Sequence, residues 1–197
     1  LATTMMRGLP WIFYPTTLLA QSDSCIGSKS SINSGEVKNI LGTFTPPAKV
    51  VIDINFLKSL EEKDILSGIG EMIKVHAINS PKSFDLLSEN YNQVKDDFLL
   101  MEKFIYQSLL MKKKLIEIDE FDLGPRNVMN YGHSFGHAIE TATNYAIPHG
   151  IAVTMGMDIA NYVASKLGIS SNKHFERMHS VLDKNCKFYR KVSIDVN

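Results

Sequence analysis

Two histidines four residues apart stand in the run Asn130-Tyr131-Gly132-His133-Ser134-Phe135-Gly136-His137-Ala138-Ile139-Glu140, and a third, His149, follows behind Pro148. On an α-helix, residues four apart lie about 40° from each other around the axis, so both imidazoles project from one face. Asn130 joins that face if the helix has begun by then. Gly132 and Gly136 strip bulk from the neighbouring stripe and let another backbone approach closely. His149, after its proline, suits the start of the next helix. The same His-x3-His spacing also serves a packed or solvent-facing pair. The third histidine and the clustered glycines favour a divalent metal.

Catalytic zinc often combines two histidines with one carboxylate and an open position. The candidate carboxylate is Glu71, in Ser67-Gly68-Ile69-Gly70-Glu71-Met72-Ile73-Lys74. Glu71 and Lys74 share a helix face beside an apolar stripe of Ile65, Ile69, Met72 and Ile73. Such a pair is ordinarily solvated, but two glycines inside a helix each cost about 1 kcal/mol against alanine, so close approach by another element is expected there. Gly68-x-Gly70 is not a nucleotide fingerprint, because the third glycine is absent and no strand precedes it. His76 falls on a different face from Glu71 and reads as structural.

These residues need elements to position them. The chain has 197 residues, 44% hydrophobic, with 21 basic and 21 acidic side chains, enough for one good core or two small ones. Zero net charge argues against nucleic acid or an anionic membrane as the main partner. No apolar stretch approaches the ~20 residues that span a bilayer, and no signal peptide is evident. Cys25 and Cys186, without framework spacing, fit a reducing cytoplasm.

Residues 1–60 read as mixed α/β: a short buried strand at Trp11–Tyr14, a helix capped by Thr16-Thr17 and running to Gln21, a polar loop from Gly27 to Gly42, and a second buried strand at Lys49–Asp53. From residue 61 the periodicity is helical, over 62–79, 81–90, 96–118, 130–145, 149–167 and 171–185. Two strands do not make a stable sheet alone, so residues 1–60 are expected to be the end of a larger α/β nucleotide-binding domain, and 61–197 a helical metal- and substrate-binding domain, incomplete at its C-terminus. In the helix at 96–118, Met101, Ile105, Leu109 and Ile116 mark the inward stripe and Lys112 falls on it, while Lys113 and Lys114 point away. A lysine there needs an anionic partner or snorkels at the core edge.

From Arg7-Gly8 to about Gly168 the chain resembles the dehydroquinate synthase family of sugar-phosphate cyclases. Five blocks carry the resemblance in order: Pro15-Thr16-Thr17-Leu18-Leu19-Ala20-Gln21 with Asp23-Ser24, the Gly27-Ser28-Lys29 loop, Lys38-Asn39, Glu71-x2-Lys74, and Arg126-x3-Asn130-x2-His133-x3-His137 with His149-Gly150. The resemblance implies a mostly α metal-binding domain preceded by the last strands of an α/β NAD-binding domain. It makes Glu71, His133 and His149 the metal ligands, with Zn2+ favoured and Co2+ or another divalent ion as alternatives. It assigns His137, which spacing alone would have made a ligand, to acid–base work beside the metal.

The implied reaction, of the shikimate route, converts 3-deoxy-D-arabino-heptulosonate 7-phosphate to 3-dehydroquinate. A ring hydroxyl is oxidised by NAD+, phosphate is eliminated, the ketone is reduced again, and ring opening and aldol closure follow. By family position Lys29, Lys74, Asn39, Lys112, Arg126, Asn130 and His137 contact the sugar-acid phosphate, Asp23 adds a contact to its hydroxyls, and Arg7 is donated across a homodimer interface. Proton transfer falls to His137 and Asp122, with Lys74 and Lys29 completing the catalytic set. Thr16, Thr17, Lys38, Phe56, Leu57, Lys58 and Ser59 match cofactor contacts.

The family's glycine-rich NAD-binding segment would lie before Leu1 and its last substrate lysine beyond Asn197, so the chain is expected to be a fragment that does not turn over alone. Ser28 stands where a glycine is usual, Ile151 where a glutamate is usual, and Asp122 where the acid is one carbon longer. These departures leave open a sister cyclase such as 2-deoxy-scyllo-inosose synthase, and the missing segment leaves open a non-catalytic zinc-binding remnant.

Overall fold

The computed structural model describes residues 1–34 and 37–193. From Glu62 onward the 3.6-residue periodicity becomes packed helices: α1 (Glu62–Asn79), α2 (Pro81–Glu89), α3 (Tyr91–Val94), α4 (Phe98–Ile118), α5 (His133–Ala142), α6 (His149–Lys166) and α7 (Asn172–Cys186). Their starts follow from side-chain capping. Ser80 accepts from the Ser83 N–H before α2, Asp97 from the Leu99 and Leu100 N–H groups before α4, and Ser171 from the His174 N–H before α7.

α1 is the central helix, buried from Leu66 to His76 and packed against α2, α4, α6 and α7. Its Ile69, Met72 and Ile73 share one apolar cluster with Phe84 and Leu87 of α2, Phe104 and Ile105 of α4, Ile151 and Met157 of α6, and Leu182 of α7. A buried polar cross-brace ties four of these helices together. Asn185 donates from Nδ2 to the Leu66 carbonyl (3.2 Å) and Thr154 Oγ1 (3.1 Å), and accepts from Tyr91 OH (2.9 Å). A fully satisfied network of this kind holds register as well as adding attraction.

The glycines decide how closely the helices meet. A β-carbon on Gly70 of α1 would collide with the Gly150 carbonyl of α6, and one on Gly150 with the Ser67 carbonyl of α1. Gly150 N–H donates to Ser67 Oγ at 2.9 Å across the same contact. The close approach expected at the α1 glycines is therefore made by α6, and it seals Glu71 and Lys74 from water at 1% and 2% exposure. Gly156 of α6 meets the Gly132 carbonyl equally closely, which sets α5 against α6.

The N-terminal part differs from expectation in three ways. The segment read as a polar loop is a hairpin, β2 (Lys29–Ser34) and β3 (Val37–Phe44), with Ser30 opposite Thr43 and Ile32 opposite Leu41. Its Ser- and Asn-rich composition mimics turn chemistry, and cross-strand pairing is a non-local property that no local pattern displays. The strands β1 (Ile12–Phe13) and β4 (Lys49–Val50) do form, paired in parallel, but they are shorter than expected and not buried: Ile12 and Tyr14 are each 53% exposed. After Thr17 the chain makes a π-helical turn at Ala20–Ser24 that continues past Gln21, whose side chain donates to the Pro15 and Asp53 carbonyls and so joins the ends of both strands. Beyond the N-terminal part, Asn130 is not on α5. It ends a separate 3-10 turn, Pro125–Asn130, and Gly132 at φ 78° breaks the chain before His133 starts the helix.

Candidate active site and metal centre

Three helices converge on one point. α5 presents His133 and His137 one turn apart, and α6 presents His149 at its first residue. The ring centroids lie 5.2 Å (133–137), 5.3 Å (133–149) and 5.8 Å (137–149) apart, and one nitrogen from each ring lies within 4.8 Å of the others. α1 supplies Glu71 behind His149. Glu71 Oε2 is bound by Lys74 Nζ at 2.5 Å, while Oε1 lies 3.6 Å from His149 Nε2. That Oε1 is buried and has no hydrogen-bond partner among the described residues. An orphaned carboxylate oxygen is costly to bury, and a metal ion is one group that satisfies it.

The electrostatics treat the two proposed imidazole donors differently. Burial, followed by the Lys74 ammonium, pushes the His133 imidazole down to about 4, so it is neutral with a lone pair near pH 7. Burial opposes charge on His149 as well, but the hydrogen bond to Glu140 and the charge of Glu71 outweigh it and raise its pKa. Tetrahedral zinc with bonds of about 2.1 Å sets its ligand atoms about 3.4 Å apart. The 3.6 Å between Glu71 Oε1 and His149 Nε2 is close to that spacing. His, His and carboxylate are also the donor types such an ion takes. The residues present fit a divalent metal.

The three imidazoles open into a cleft of about 850 Å³ also lined by Asp23, Lys29, Asn39, Lys112, Arg126, Asn130 and Glu140. Lys112 of α4 is 6% exposed, with Nζ 2.5 Å from the Asp23 carbonyl and 3.1 Å from Asp23 Oδ1. The anionic partner that its place on the apolar stripe demands is thus Asp23. Burial raises the Asp23 carboxyl, but Lys112 and then Lys74 outweigh it and hold the group down to about 2. Lys29, from the first residue of β2, pairs with Asp122 Oδ2 at 2.5 Å and ties the hairpin to the 119–124 loop. Arg126 is buried and donates from Nη1 to the Glu120 carbonyl at 2.7 Å. Asn39 has a left-handed backbone (φ 56°), and its Oδ1 accepts from Ser31 Oγ.

The remaining expected residues lie apart from this cleft. Arg7 is exposed in the N-terminal 3-10 turn Met5–Arg7. Thr16 and Thr17 follow β1, and Phe56, Leu57, Lys58 and Ser59 lie in the 3-10 turn Ile54–Ser59 after β4, the two groups joined through Gln21. In an α/β sheet the carboxyl ends of parallel strands are where a nucleotide docks. The side chain of Lys38 lies outside the described residues. Two of the departures, Ser28 and Ile151, are buried and do not line the cleft, and Ile151 belongs to the apolar core.

Sequence reasoning missed Glu140 as a site residue. It is 4% exposed, with Oε1 3.2 Å from His149 Nδ1 and Oε2 4.0 Å from His137 Nε2. Its position seven residues after His133 and three after His137 puts it on their helix face, and that spacing was the available signal. The hydroxyls of Ser30, Ser31 and Thr43, which also line the cleft, were hidden by the loop reading of the hairpin.

Residues 1–67 match the family model for the 3-dehydroquinate synthase N-terminal region, and residues 68–195 match that for the C-terminal region. The chain is 40% identical over 182 residues to a 3-dehydroquinate synthase of Dehalococcoides mccartyi and 42% over 183 residues to one of Dictyoglomus thermophilum; each alignment covers 92% of this chain. It spans about half the length of these curated relatives, 51% and 52%. Among solved structures it resembles a 2-deoxy-scyllo-inosose synthase complexed with carbaglucose-6-phosphate, NAD+ and Co2+ (TM-score 0.83, 27% identity, covering 100% of this chain and 53% of that one). It shares the fold of ValA, a 2-epi-5-epi-valiolone synthase from Streptomyces hygroscopicus with NAD+ and Zn2+ bound (TM-score 0.85, 24% identity, 94% and 52% covered). The chain belongs to the 3-dehydroquinate synthase family.

Proposed function

We propose that this chain carries the metal and substrate site of a 3-dehydroquinate synthase, which converts 3-deoxy-D-arabino-heptulosonate 7-phosphate to 3-dehydroquinate and phosphate. The observation that carries the reading is the meeting, in one cleft, of three imidazoles with the cations Lys29, Lys112 and Arg126, and the orphaned Glu71 Oε1 behind His149. The ligands are Glu71, His133 and His149, and the ion is Zn2+, with Co2+ as an alternative of similar geometry. When bound, the metal supplies Lewis-acid polarisation of a substrate hydroxyl and NAD+ supplies the hydride acceptor.

The chain's own residues do the rest. Lys74 neutralises the Glu71 oxygen that faces away from the imidazoles, so the other oxygen is presented in a fixed direction. Lys29, Lys112, Arg126 and Asn130 hold the substrate phosphate and carboxylate, and Asn39 adds a neutral contact. Each cation is already held by a protein acceptor, so an incoming anion meets oriented donors and spends little ordering entropy. Asp23, ionised by its two lysines, accepts from sugar hydroxyls. His137, half exposed beside the other two rings, moves the proton at the reacting carbon, and Asp122 exchanges protons at the hairpin side.

Thr16, Thr17, Lys38 and Phe56–Ser59 form the cofactor edge. Residues 1–60 act as the end of the NAD-binding domain and residues 61–197 as the helical domain. We further place the protein in the cytoplasm as a homodimer, with the exposed Arg7 reaching a partner's cleft. The two buried free thiols, Cys25 and Cys186, suit that compartment, and among the described residues no helix is long and apolar enough to cross a membrane.

The likeness to 2-deoxy-scyllo-inosose synthase favours a second reading, a sister cyclase acting on glucose 6-phosphate. The first is preferred because identity to dehydroquinate synthases is higher and because Ser28 and Ile151 lie outside the cleft lining. The test is NAD+-dependent phosphate release by the protein that carries these residues. Release should stop on chelation and return with Zn2+ or Co2+; release indifferent to chelation contradicts the reading.

A further inference from the structure

Once the three metal ligands and His137 have roles, one buried carboxylate in the cleft has none. Glu140 Oε1 lies 3.2 Å from His149 Nδ1, and its Oε2 lies 4.0 Å from His137 Nε2. Of the two neutral tautomers, only the one with its proton on Nδ1 donates to a carboxylate there, and it leaves the lone pair on Nε2. Nε2 is the atom that faces Glu71 Oε1, 3.6 Å away. The two acids therefore flank opposite edges of one imidazole, α5 supplying one and α1 the other. At 4% exposure, Glu140 has little water to compete for its oxygens.

Resting on the metal-centre reading, we propose that Glu140 is a positioning residue. It fixes His149 as the Nδ1-protonated tautomer, aims Nε2 at the ion, and steadies His137 with its second oxygen. A buried anion behind a ligand imidazole also raises that ligand's basicity, and loss of such a partner ordinarily lowers metal affinity about 10- to 100-fold.

The experiment titrates Zn2+ and Co2+ against a chromophoric chelator with wild type, Glu140→Gln, Glu140→Ala and His149→Ala. It is paired with nitrogen-15 NMR of the histidine rings in the metal-free proteins. Glu140→Ala should weaken both ions about 10- to 100-fold and move His149 towards the Nε2-protonated form. Glu140→Gln, which keeps an acceptor without the charge, should recover part of both, and His149→Ala should lose more affinity than either. If Glu140→Ala does not fold, the tautomer and affinity of the near-isosteric Glu140→Gln decide. Glu140 variants that hold metal within about twofold of wild type, with the His149 tautomer unchanged, overturn the proposal while the metal centre stands. Metal binding that is absent in wild type, or untouched by His149→Ala, overturns both.

Discussion

At the residue scale the site is built on charges that solvent does not screen. Glu71 and Lys74 form an ion pair at 1% and 2% exposure, with one Glu71 oxygen left over. Glu71→Gln removes the charge of the proposed ligand and leaves the Lys74 ammonium buried beside a neutral amide. Breaking a buried pair in this way costs about 3–5 kcal/mol. The variant should therefore lose bound metal, as read by metal analysis after dialysis, and its thermal midpoint should fall; retention of one equivalent of ion would remove Glu71 from the ligand set. His76 tests the opposite case, a buried neutral ring. Burial pushes it from 6.5 to about 4, and it bonds Ser83 and packs edge-on against Phe104. Its folded pKa lies below its unfolded one, so its stabilisation is complete above 6.5 and is lost as pH falls through that window towards 4. The loss amounts to about 3 kcal/mol. Denaturant titrations at successive pH values should show that slope in wild type and its absence in His76→Gln.

At the element scale the metal centre depends on how closely α1 and α6 approach. Gly150→Ala would drive a methyl group into the Ser67 carbonyl and displace His149 from Glu71. Overpacking of a close contact costs about 1–3 kcal/mol, and more where the obstacle is backbone. Lower thermal stability together with weaker metal binding is expected, and an unchanged midpoint would mean that the helices separate freely. This contact was legible in the sequence: the paired glycines at 68 and 70, and again at 132 and 136, announced close approach before any partner was visible. The helices were legible too, because apolar periodicity is a local signal. The hairpin was not, since its Ser- and Asn-rich strands are fixed by pairing across the turn rather than by pattern. Glu140 was overlooked because an acid on a helix is ordinarily solvated, and only the fold shows that this one is buried.

At the scale of the whole molecule, a chain with no net charge gathers Lys29, Lys112 and Arg126 around a single cleft. The cleft is open, so its attraction for the phosphate and carboxylate of the proposed substrate is screened within a Debye length of about 8 Å at physiological salt. KM should rise with ionic strength while kcat changes little, and a salt-independent KM would mean that these cations do not face the substrate. The identity of that substrate decides which reaction the cleft serves. The most direct measurement offers 3-deoxy-D-arabino-heptulosonate 7-phosphate and glucose 6-phosphate in parallel, with NAD+ and Zn2+, to the protein that carries these 197 residues, and reads phosphate release. Release from the seven-carbon acid alone is expected; release from glucose 6-phosphate, or from neither, would contradict the proposed activity.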